Sequence, residues 1–233
     1  GYLFLARSAA RAEQLAKAVA LQNECGVHTK LITPKEALSI VPELDASRIV
    51  AASFNGDDGV VFPWPFVWGY AKACTDLGVT VRTMTEVQGI ETDGKRVTAV
   101  LIPGERITTD LVVNATGAWS PEIGKMVGVD MPNKPHRHEI CSTEPLKPFL
   151  RPLVADLGTG LYFSQSMRGE IVGGISNAQV PDGLDQESSL RFLGLYARSL
   201  TRTMPILGGV RVLRQWAGCY DNTPDGAPLI GRV

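Results

Sequence analysis

A hairpin signal in the middle of the chain requires antiparallel strands. Two strand-like segments, residues 86–92 and 96–102, flank the dipeptide Asp93-Gly94. Asp-Gly between such segments is typical of a tight turn, because glycine tolerates the positive backbone φ that the turn needs. Glycine (24 residues) and proline (15 residues) also exceed their usual share, which favours many turns over a helical bundle. The sequence therefore predicts at least one antiparallel sheet.

The remaining patterns predict a mixed α/β chain. Apolar residues at helical spacing predict five helices: 8–24, 33–41, 65–77, about 121–126, and 185–203, the last being the longest. Thr33 and Glu36 predict a capping box at the start of the second helix, and Gly26 and Gly78 mark the ends of the first and third. Alternating or short apolar segments predict further strands at 1–5, 79–83, 110–115, 137–143, 160–165, 171–175 and 210–220. Within the third helix, Trp64 and Trp68 are expected to be core residues.

Charge and cysteine content exclude several classes of protein. The 23 basic and 24 acidic residues leave a net charge of −1, which gives no general attraction for nucleic acid or an anionic membrane. No apolar run approaches the ~20 residues of a membrane span. The four cysteines lack metal-type spacing and are expected to be reduced and mostly buried, as in a cytoplasmic protein.

Two histidines lie two residues apart on a predicted strand. His136 and His138 therefore share one strand face and could contribute to a metal site. Glu139 points to the opposite face, and no third ligand is evident, so a polar strand face is the favoured interpretation. The chain also lacks the G-x-S-x-G, H-E-x-x-H, G-x-x-x-x-G-K and G-x-G-x-x-G motifs.

Two segments carry unusual patterns. Residues 110–120 run from an apolar strand into small residues, then Trp119, then a helix. Small residues after a strand let a flat ligand approach the backbone, although a plain strand-to-helix turn has the same pattern. Residues 215–231 place Trp216, Tyr220 and Asp225 beside a rigid turn. That pattern suits a ligand pocket, and equally a core tryptophan followed by a surface turn.

Taken together, these segments resemble a known family. Val112-Val-Asn-Ala-Thr-Gly-Ala-Trp-Ser120 and Trp216-Ala-Gly-Cys-Tyr-Asp-Asn-Thr-Pro-Asp-Gly-Ala-Pro-Leu-Ile-Gly231 are similar to the FAD-dependent D-amino-acid-oxidase-like family. Within it, the chain most resembles β-subunits of sarcosine oxidase. Shorter segments agree in order along the chain: Asp58-Gly-Val, Trp68-Gly-Tyr-Ala, Thr85-Glu-Val-Gln-Gly-Ile, Gly160-Leu-Tyr-Phe and Val172-Gly-Gly.

The resemblance implies a flavoenzyme that oxidises the C–N bond of a small amino acid or N-methyl amino acid. The flavin would carry the chemistry, so no catalytic side chain is assigned. The resemblance implies FAD contacts at Val87, Ala115, Thr116, Gly117, Trp119, Thr223, Asp225 and Gly231. It implies a substrate pocket lined by Tyr162, Arg214, Trp216 and Tyr220.

The resemblance also implies a fold and the way the chain divides into domains. The expected fold is an FAD/NAD(P)-binding-type flavoprotein fragment, whose substrate domain has a mixed, largely antiparallel sheet flanked by helices. Residues 86–128 and 216–233 are expected to belong to the FAD-binding domain, and residues 1–85 and 129–215 to the substrate domain. The family's N-terminal glycine loop and C-terminal segment are not in the sequence, so the chain is expected to be an internal fragment that binds FAD poorly and is inactive alone.

Two positions depart from the family pattern. Tyr220 stands where several relatives carry an arginine that clamps the substrate carboxylate, and a tyrosine offers only one neutral hydrogen bond. Either Arg214 or Arg168 replaces that cation, or the substrate differs. Phe62-Pro63-Trp64-Pro65 lacks the histidine that binds FMN covalently in sarcosine oxidase β-subunits, so no FMN is expected on this chain.

Two functional hypotheses remain open. The first is an amino acid oxidase or dehydrogenase, working in a hetero-oligomer with other subunits. The second is a non-catalytic ligand-binding or partner subunit that keeps the fold. The intact turn at Thr223-Pro-Asp-Gly226 favours the enzyme, because a degenerate module has no reason to keep it.

Overall fold

The computed structural model describes residues 1–233 as a mixed α/β chain. Its strands are β1 (Tyr2–Ala6), β2 (Lys30–Ile32), β3 (Ala51–Asn55), β4 (Gly89–Thr92), β5 (Val97–Ile102), β6 (Glu105–Thr108), β7 (Lys134–Pro145), β8 (Leu153–Asp156), β9 (Leu161–Gln165), β10 (Glu170–Ile175) and β11 (Val212–Asn222). Its α-helices are α1 (Ala9–Glu24), α2 (Pro34–Ile40), α3 (Pro63–Asp76), α4 (Ser120–Lys125) and α5 (Leu190–Thr203). Short 3-10 helices lie at Ala46–Arg48, Gly117–Trp119 and Pro205–Gly209.

The strands form two sheets. The larger has eight strands in the order β11-β7-β10-β9-β8-β1-β3-β2, and the smaller is β4-β5-β6. In the larger sheet β1 and β8 are parallel, whereas β1–β3, β2–β3, β7–β10, β8–β9 and β9–β10 are antiparallel. This mixed, largely antiparallel sheet flanked by helices confirms the predicted fold class.

The chain divides into two compact units. The first comprises residues 1–60, 138–180 and 185–218, and the second comprises residues 61–137, 181–184 and 219–233. The assignment of residues 1–85, 86–128, 129–215 and 216–233 to a substrate and an FAD-binding domain stays a prediction. None of the helices combines the length and the apolar character needed to cross a bilayer.

Local sequence signals fix several element ends. Ser8 caps α1 by accepting a hydrogen bond from the Arg11 amide, and Gly26, at φ 82°, follows the end of the helix. Thr33 and Glu36 form a reciprocal capping box at the start of α2. Asp93 closes the predicted hairpin between β4 and β5, since its side chain accepts from two backbone amides of the turn.

The core of the first unit lies between one face of the large sheet and α5. Phe192, Tyr196 and Leu200 of α5 are buried against β9 and β10, where Phe163 and Ile171 are also buried. The Tyr196 hydroxyl has no protein hydrogen-bond partner, and burial raises the pKa of this phenol well above its usual value. A buried hydroxyl without a partner lowers stability, because it loses its hydrogen bonds to water.

Replacing Tyr196 with phenylalanine is therefore expected to stabilise the protein. Removal of the hydroxyl should raise the free energy of unfolding by about 1 kcal/mol, because the ring packing is kept and one unsatisfied polar group is lost. Urea denaturation of the two proteins measures the difference. A loss of stability of similar size would contradict this account, because it would mean that the hydroxyl is hydrogen-bonded.

A buried ion pair connects elements that are far apart in sequence. The Arg7 guanidinium contacts the Asp156 carboxylate and donates to the Thr203 hydroxyl at 2.8 Å. Asp156 also accepts from the Gly158 amide at 2.8 Å, which shapes the turn before β9. The Asp156 side chain is 1% exposed and that of Arg7 is 17% exposed, so the pair is shielded from water. It connects the end of β8 to residue 7 and, through Thr203, to the end of α5.

The structure corrects several expectations about single elements. Residues 79–83 and 110–115 are not strands, because neither segment has a hydrogen-bonded neighbouring strand in this chain. The last predicted helix, α5, begins at residue 190 rather than 185, and its first residue, Leu190, is exposed. α1 is therefore the longest helix. Strands β2, β3, β6 and β8 are additional to those predicted.

The third predicted helix exists, but its predicted burial is wrong. α3 begins two residues earlier than expected, at Pro63, and none of its residues is buried. Trp64 is 53% exposed and Trp68 is 63% exposed, so neither is a core residue. The expectation of mostly buried cysteines is also wrong, since only Cys141 is buried, and burial raises the pKa of its thiol to about 12.

Candidate functional site

A cavity of about 530 Å³ in the second unit brings the two motif segments together. From the first segment it is lined by Asn114, Ala115, Gly117 and Ser120. From the second it is lined by Asp221, Thr223, Gly226, Ala227, Pro228 and Leu229, and Met131 completes the wall. About a hundred residues separate the two segments in sequence, so the fold is what makes them neighbours.

Asn114 organises the first wall of this cavity. Its amide donates to the Ser120 carbonyl at 2.9 Å, and its side-chain oxygen accepts from the Thr116 hydroxyl at 2.8 Å. These bonds bend the backbone around Ala115 and Gly117, which has φ 56°. The bend places small residues at the cavity wall just before α4.

Asp221 supplies the carboxylate of the opposite wall. It accepts a hydrogen bond from the amide of Asn133, which is 4% exposed. The turn that follows is held by the Gly226 amide, which donates to the Thr223 carbonyl at 3.2 Å, and by Asp225, which accepts from the Ala227 amide at 3.0 Å. The segment therefore presents one fixed carboxylate and several backbone groups.

The predicted cofactor residues fall into three groups. Ala115, Gly117 and Thr223 line the cavity. Thr116 donates a hydrogen bond to Asn114, which lines the cavity. Asp225 accepts a hydrogen bond from the amide of Ala227, which also lines it. Trp119 and Gly231 belong to the same segments without lining the cavity, and Val87 lies just before β4, away from the lining residues.

The cavity has open space beside two of its glycines. A methyl group built on Gly117 or on Gly226 would meet no atom within 4 Å, so open space lies in front of both glycines. Small side chains on one wall and a proline and leucine on the other suit an aromatic ring, and Asp221 offers an acceptor to ring N–H groups.

The first unit carries a second group of candidate residues on one face of the large sheet. Gly173 faces α5, because a methyl group on it would lie 2.7 Å from the Tyr196 hydroxyl. Gly174 therefore faces the opposite way, where a methyl group would lie 3.0 Å from the Tyr162 hydroxyl and 2.8 Å from His138 Nε2. Tyr162 and His138 thus lie together on the face that α5 does not cover.

Arg214 and Trp216 lie on the same face. Their neighbour Gln215 donates to the Ser189 carbonyl at 2.8 Å, and Ser189 caps α5, so Gln215 points to the helix side. Side chains alternate along a strand, and Arg214 and Trp216 therefore point away from α5. The structure brings three of the four predicted substrate residues, Tyr162, Arg214 and Trp216, to one sheet face.

The fourth residue and the alternative cation are placed differently. Tyr220 is half exposed on the part of β11 that belongs to the second unit, and it does not line the cavity there. Arg168 lies in the turn before β10, with its Nε 3.8 Å from Glu170 Oε1. A hydrogen bond from Ser166 lowers the pKa of Glu170, with smaller contributions from the charges of Arg168 and Arg214. Arg214 is therefore the candidate cation on the open face.

His136 and His138 take different partners. His136 Nδ1 lies 3.1 Å from Asp182 Oδ1, and His138 Nε2 lies 3.0 Å from the Tyr162 hydroxyl. The His138 and Tyr162 rings are also stacked, with centroids 5.6 Å apart and planes 17° from parallel. No cluster of three His, Cys, Asp or Glu side chains is placed to hold a metal. Both histidines thus belong to pairs with side chains distant in sequence.

Sequence reasoning missed three residues of these sites. Asn114 and Asp221 line the cavity, and His138 contacts a predicted substrate residue. An asparagine directly after an apolar segment and before small residues is a signal for Asn114, because Asx side chains bond to nearby turn backbone. Nothing local predicts the contact of Asp221 with Asn133 or that of His138 with Tyr162, since these partners lie far away in sequence.

Comparison with known proteins identifies the class. Residues 1–233 match the family described as DAO, FAD dependent oxidoreductase, so the chain belongs to this family of FAD-dependent oxidoreductases. The resemblance seen in the two segments is thereby confirmed.

Three similar proteins of known name are described next. The chain is 30% identical to sarcosine oxidase subunit beta of Rhodobacter capsulatus, over 100% of this chain and 57% of the relative. Its structure matches L-proline dehydrogenase from P. horikoshii with a TM-score of 0.93 and 35% identity, covering 100% of this chain and 63% of the other. Glycine oxidase from Geobacillus kaustophilus shares the fold, with a TM-score of 0.89 and 23% identity, over 100% of this chain and 62% of that one. The chain thus spans less than two thirds of the length of each relative.

Proposed function

We propose that the protein oxidises the C–N bond of a small amino acid or N-methyl amino acid, with FAD as its cofactor. Membership of the FAD-dependent oxidoreductase family supports the reaction class. The relatives named for sarcosine, L-proline and glycine support the substrate class. The observation that carries the proposal is the single cavity lined by both motif segments.

The chain's contribution on the cofactor side is shape and one charge. When bound, FAD accepts a hydride equivalent from the carbon next to the substrate nitrogen. Ala115, Gly117 and Gly226 allow a ring to approach the backbone closely, because none carries a side chain larger than a methyl group. Asp221, held by Asn133, would offer its carboxylate as a hydrogen-bond acceptor to an N–H group of the bound cofactor.

The chain's contribution on the substrate side is recognition. A small amino acid carries a carboxylate, and Arg214 on the open sheet face provides a guanidinium that can bind it with two parallel hydrogen bonds. Trp216 and Tyr162 provide aromatic surface on the same sheet face. The imine product then hydrolyses to the carbonyl compound and an amine.

An anaerobic reduction assay tests this function. The full-length protein is mixed separately with sarcosine, L-proline, glycine and D-alanine, and the oxidised-flavin absorption band is followed. At least one of these compounds is expected to bleach the band, and an N-acetylated amino acid is the control that should not. A protein that holds flavin yet is reduced by none of them would instead support the non-catalytic ligand-binding subunit.

We also infer that the protein assembles with other oxidase subunits. One relative is by name a subunit, and Trp64 and Trp68 of α3 are exposed and stacked with centroids 6.1 Å apart. Exposed aromatic pairs are enriched at protein interfaces. Light scattering of the protein isolated from its native source would show a mass above that of one chain, and a monomer would contradict the inference. The absence of covalent FMN and the cytoplasmic location stay predictions.

A further inference from the structure

We propose that Asn133 is a positioning residue that holds the Asp221 carboxylate for recognition of an N–H donor of the bound cofactor. In this proposal the Asn133 amide donates to one carboxylate oxygen, Oδ1, and the other oxygen, Oδ2, accepts from the ligand in the cavity. The inference rests on the proposed function, because it names how the proposed FAD site would fix its ligand.

The two side chains of this pair lie in different surroundings. Asn133 is 4% exposed and directly precedes β7, whereas Asp221 is exposed near the end of β11 and lines the cavity. A buried side chain has little freedom to rotate, so the Asn133 amide restricts the movement of a carboxylate that water would otherwise surround. An acceptor that is fixed before the ligand arrives loses less conformational entropy on binding.

The chemistry of the pair determines which way the Asn133 amide points. An ionised carboxylate only accepts hydrogen bonds, so the amide NH2 group must face Asp221 and the amide oxygen must face away. That oxygen, Asn133 Oδ1, is buried and has no hydrogen-bond partner. A buried acceptor without a partner lowers stability. Asparagine is therefore unfavourable for stability at residue 133, and its amide is used for the contact with Asp221.

The remaining carboxylate oxygen determines the kind of group that the pair recognises. The Asp221 side chain has no hydrogen bond or ion pair within the chain other than the one from Asn133. Its second oxygen can therefore accept from a donor in the cavity, and its negative charge repels phosphate groups. FAD carries two kinds of N–H donor, the imide of the flavin ring and the amino group of adenine. The pair thus favours one of these two groups over the pyrophosphate.

The charged side chains of the neighbouring segments do not hold Asp221. They belong to α4, to the residues beside Asn133 and to the turn after β11, and they are Glu122, Lys125, Asp130, Lys134 and Asp225. None of them forms an ion pair or a hydrogen bond with the Asp221 carboxylate. Asn133 is thus the side chain that sets the orientation of this carboxylate.

The test uses full-length protein that is stripped of flavin and then titrated with FAD, with binding followed by flavin fluorescence. Asn133→Leu removes the donor, Asp221→Ala removes the carboxylate, and a third variant combines the two substitutions. Asn133→Asp replaces the donor with a second carboxylate of nearly the same shape. Asn177→Asp, in the first unit, is the control for an added negative charge.

We expect Asn133→Leu and Asp221→Ala each to weaken FAD binding by about tenfold, the usual effect of one lost hydrogen bond to a charged group. The double variant should bind no more weakly than Asp221→Ala, because Asn133 acts only through Asp221. Asn133→Leu should not lower the midpoint of urea unfolding, since it also removes the unpaired buried oxygen.

The pH profile of Asn133→Asp is the readout that a purely structural role would not change. Two carboxylates in contact share one proton in mildly acidic solution, and the protonated group then donates to the other, as the asparagine amide does. When the proton is lost at higher pH, the two negative charges repel each other. The FAD affinity of this variant should therefore fall by about tenfold from about pH 5.5 to about pH 8, whereas wild-type protein and Asn177→Asp should change by less than about twofold.

Two FAD analogues show which donor is recognised. One carries a methyl group on the imide nitrogen of the flavin ring, and the other carries two methyl groups on the adenine amine, so each lacks one N–H donor. For the analogue without the recognised donor, Asn133→Leu should weaken binding by less than about twofold. For the other analogue, the loss should be about tenfold, as for FAD.

The results that would overturn the inference are distinguishable. Unchanged FAD affinity in Asn133→Leu, beside a wild-type protein that binds FAD, would overturn the inference and leave the proposed function standing. An Asn133→Asp variant with a flat pH profile, or an equal loss with FAD and both analogues, would show that Asn133 only supports the fold. Failure of the wild-type protein to bind FAD would overturn both.

Discussion

Replacing Ala115 with phenylalanine is expected to reduce the flavin content of the purified full-length protein to below about a tenth of the wild-type value. Ala115 lines the cavity opposite the 221–229 segment, where a phenyl group would occupy the space proposed for the flavin ring. The cavity wall cannot retreat easily, because Asn114 fixes the backbone on both sides of the bend. Absorbance of bound FAD relative to protein measures the effect.

A matched substitution separates this effect from a general loss of folding. Ala20 is an exposed residue of α1 and takes no part in the cavity, so Ala20→Phe should keep the full flavin content. Circular dichroism of both variants should match that of the wild-type protein. Full flavin retention by Ala115→Phe would show that the flavin ring does not enter this cavity.

Replacing Arg7 with methionine is expected to lower the free energy of unfolding by about 3 kcal/mol, the usual cost of removing one partner of a buried ion pair. The substitution leaves the Asp156 carboxylate, 1% exposed, without its counter-charge. It also removes a donor from the buried Thr203 hydroxyl. Methionine keeps most of the side-chain length, so the measured change reports the lost charge rather than a cavity.

The exposed Arg11 provides the control for this measurement. Its guanidinium bonds only to the neighbouring Gln14 side chain, at 2.9 Å, on the surface of α1. Arg11→Met should change stability by less than about 0.5 kcal/mol, as surface substitutions usually do. If Arg7→Met also fell within that range in urea denaturation, Asp156 would have to be stabilised by its backbone contacts alone.

The parts of the fold that the sequence predicted well are those fixed by neighbours in the chain. The capping box of Thr33 and Glu36 and the turn at Asp93-Gly94 both rest on contacts within four residues. Such signals are strong because the same few residues determine both the pattern and the structure.

The parts that failed depend on distant partners. Residues 79–83 and 110–115 have strand-like alternation, but a strand forms only beside a hydrogen-bonded neighbour. The apolar residues of α3 recur at helical spacing and correctly predict a helix. That spacing does not indicate whether another element covers the apolar face of the helix. Alternation and periodicity predict which side chains share a face, not what the face contacts.

The candidate site shows the same division. Small residues and the family resemblance mark the segment containing Ala115 and Gly117, and both residues line a cavity, while their contact with FAD stays a prediction. Asn133 and Asp221 are 88 residues apart, and His138 and Tyr162 are 24 apart. Only the strand order and register bring such pairs together, and a single sequence does not contain that information.

The flavin content of the full-length protein tests the central claim most directly. The account predicts that the purified protein is yellow and carries about one FAD per chain that survives gel filtration, as expected for a tightly bound cofactor. A protein that leaves the column colourless, and stays so after incubation with excess FAD and renewed gel filtration, would contradict the claim that the cavity between residues 114–120 and 221–229 is a flavin site.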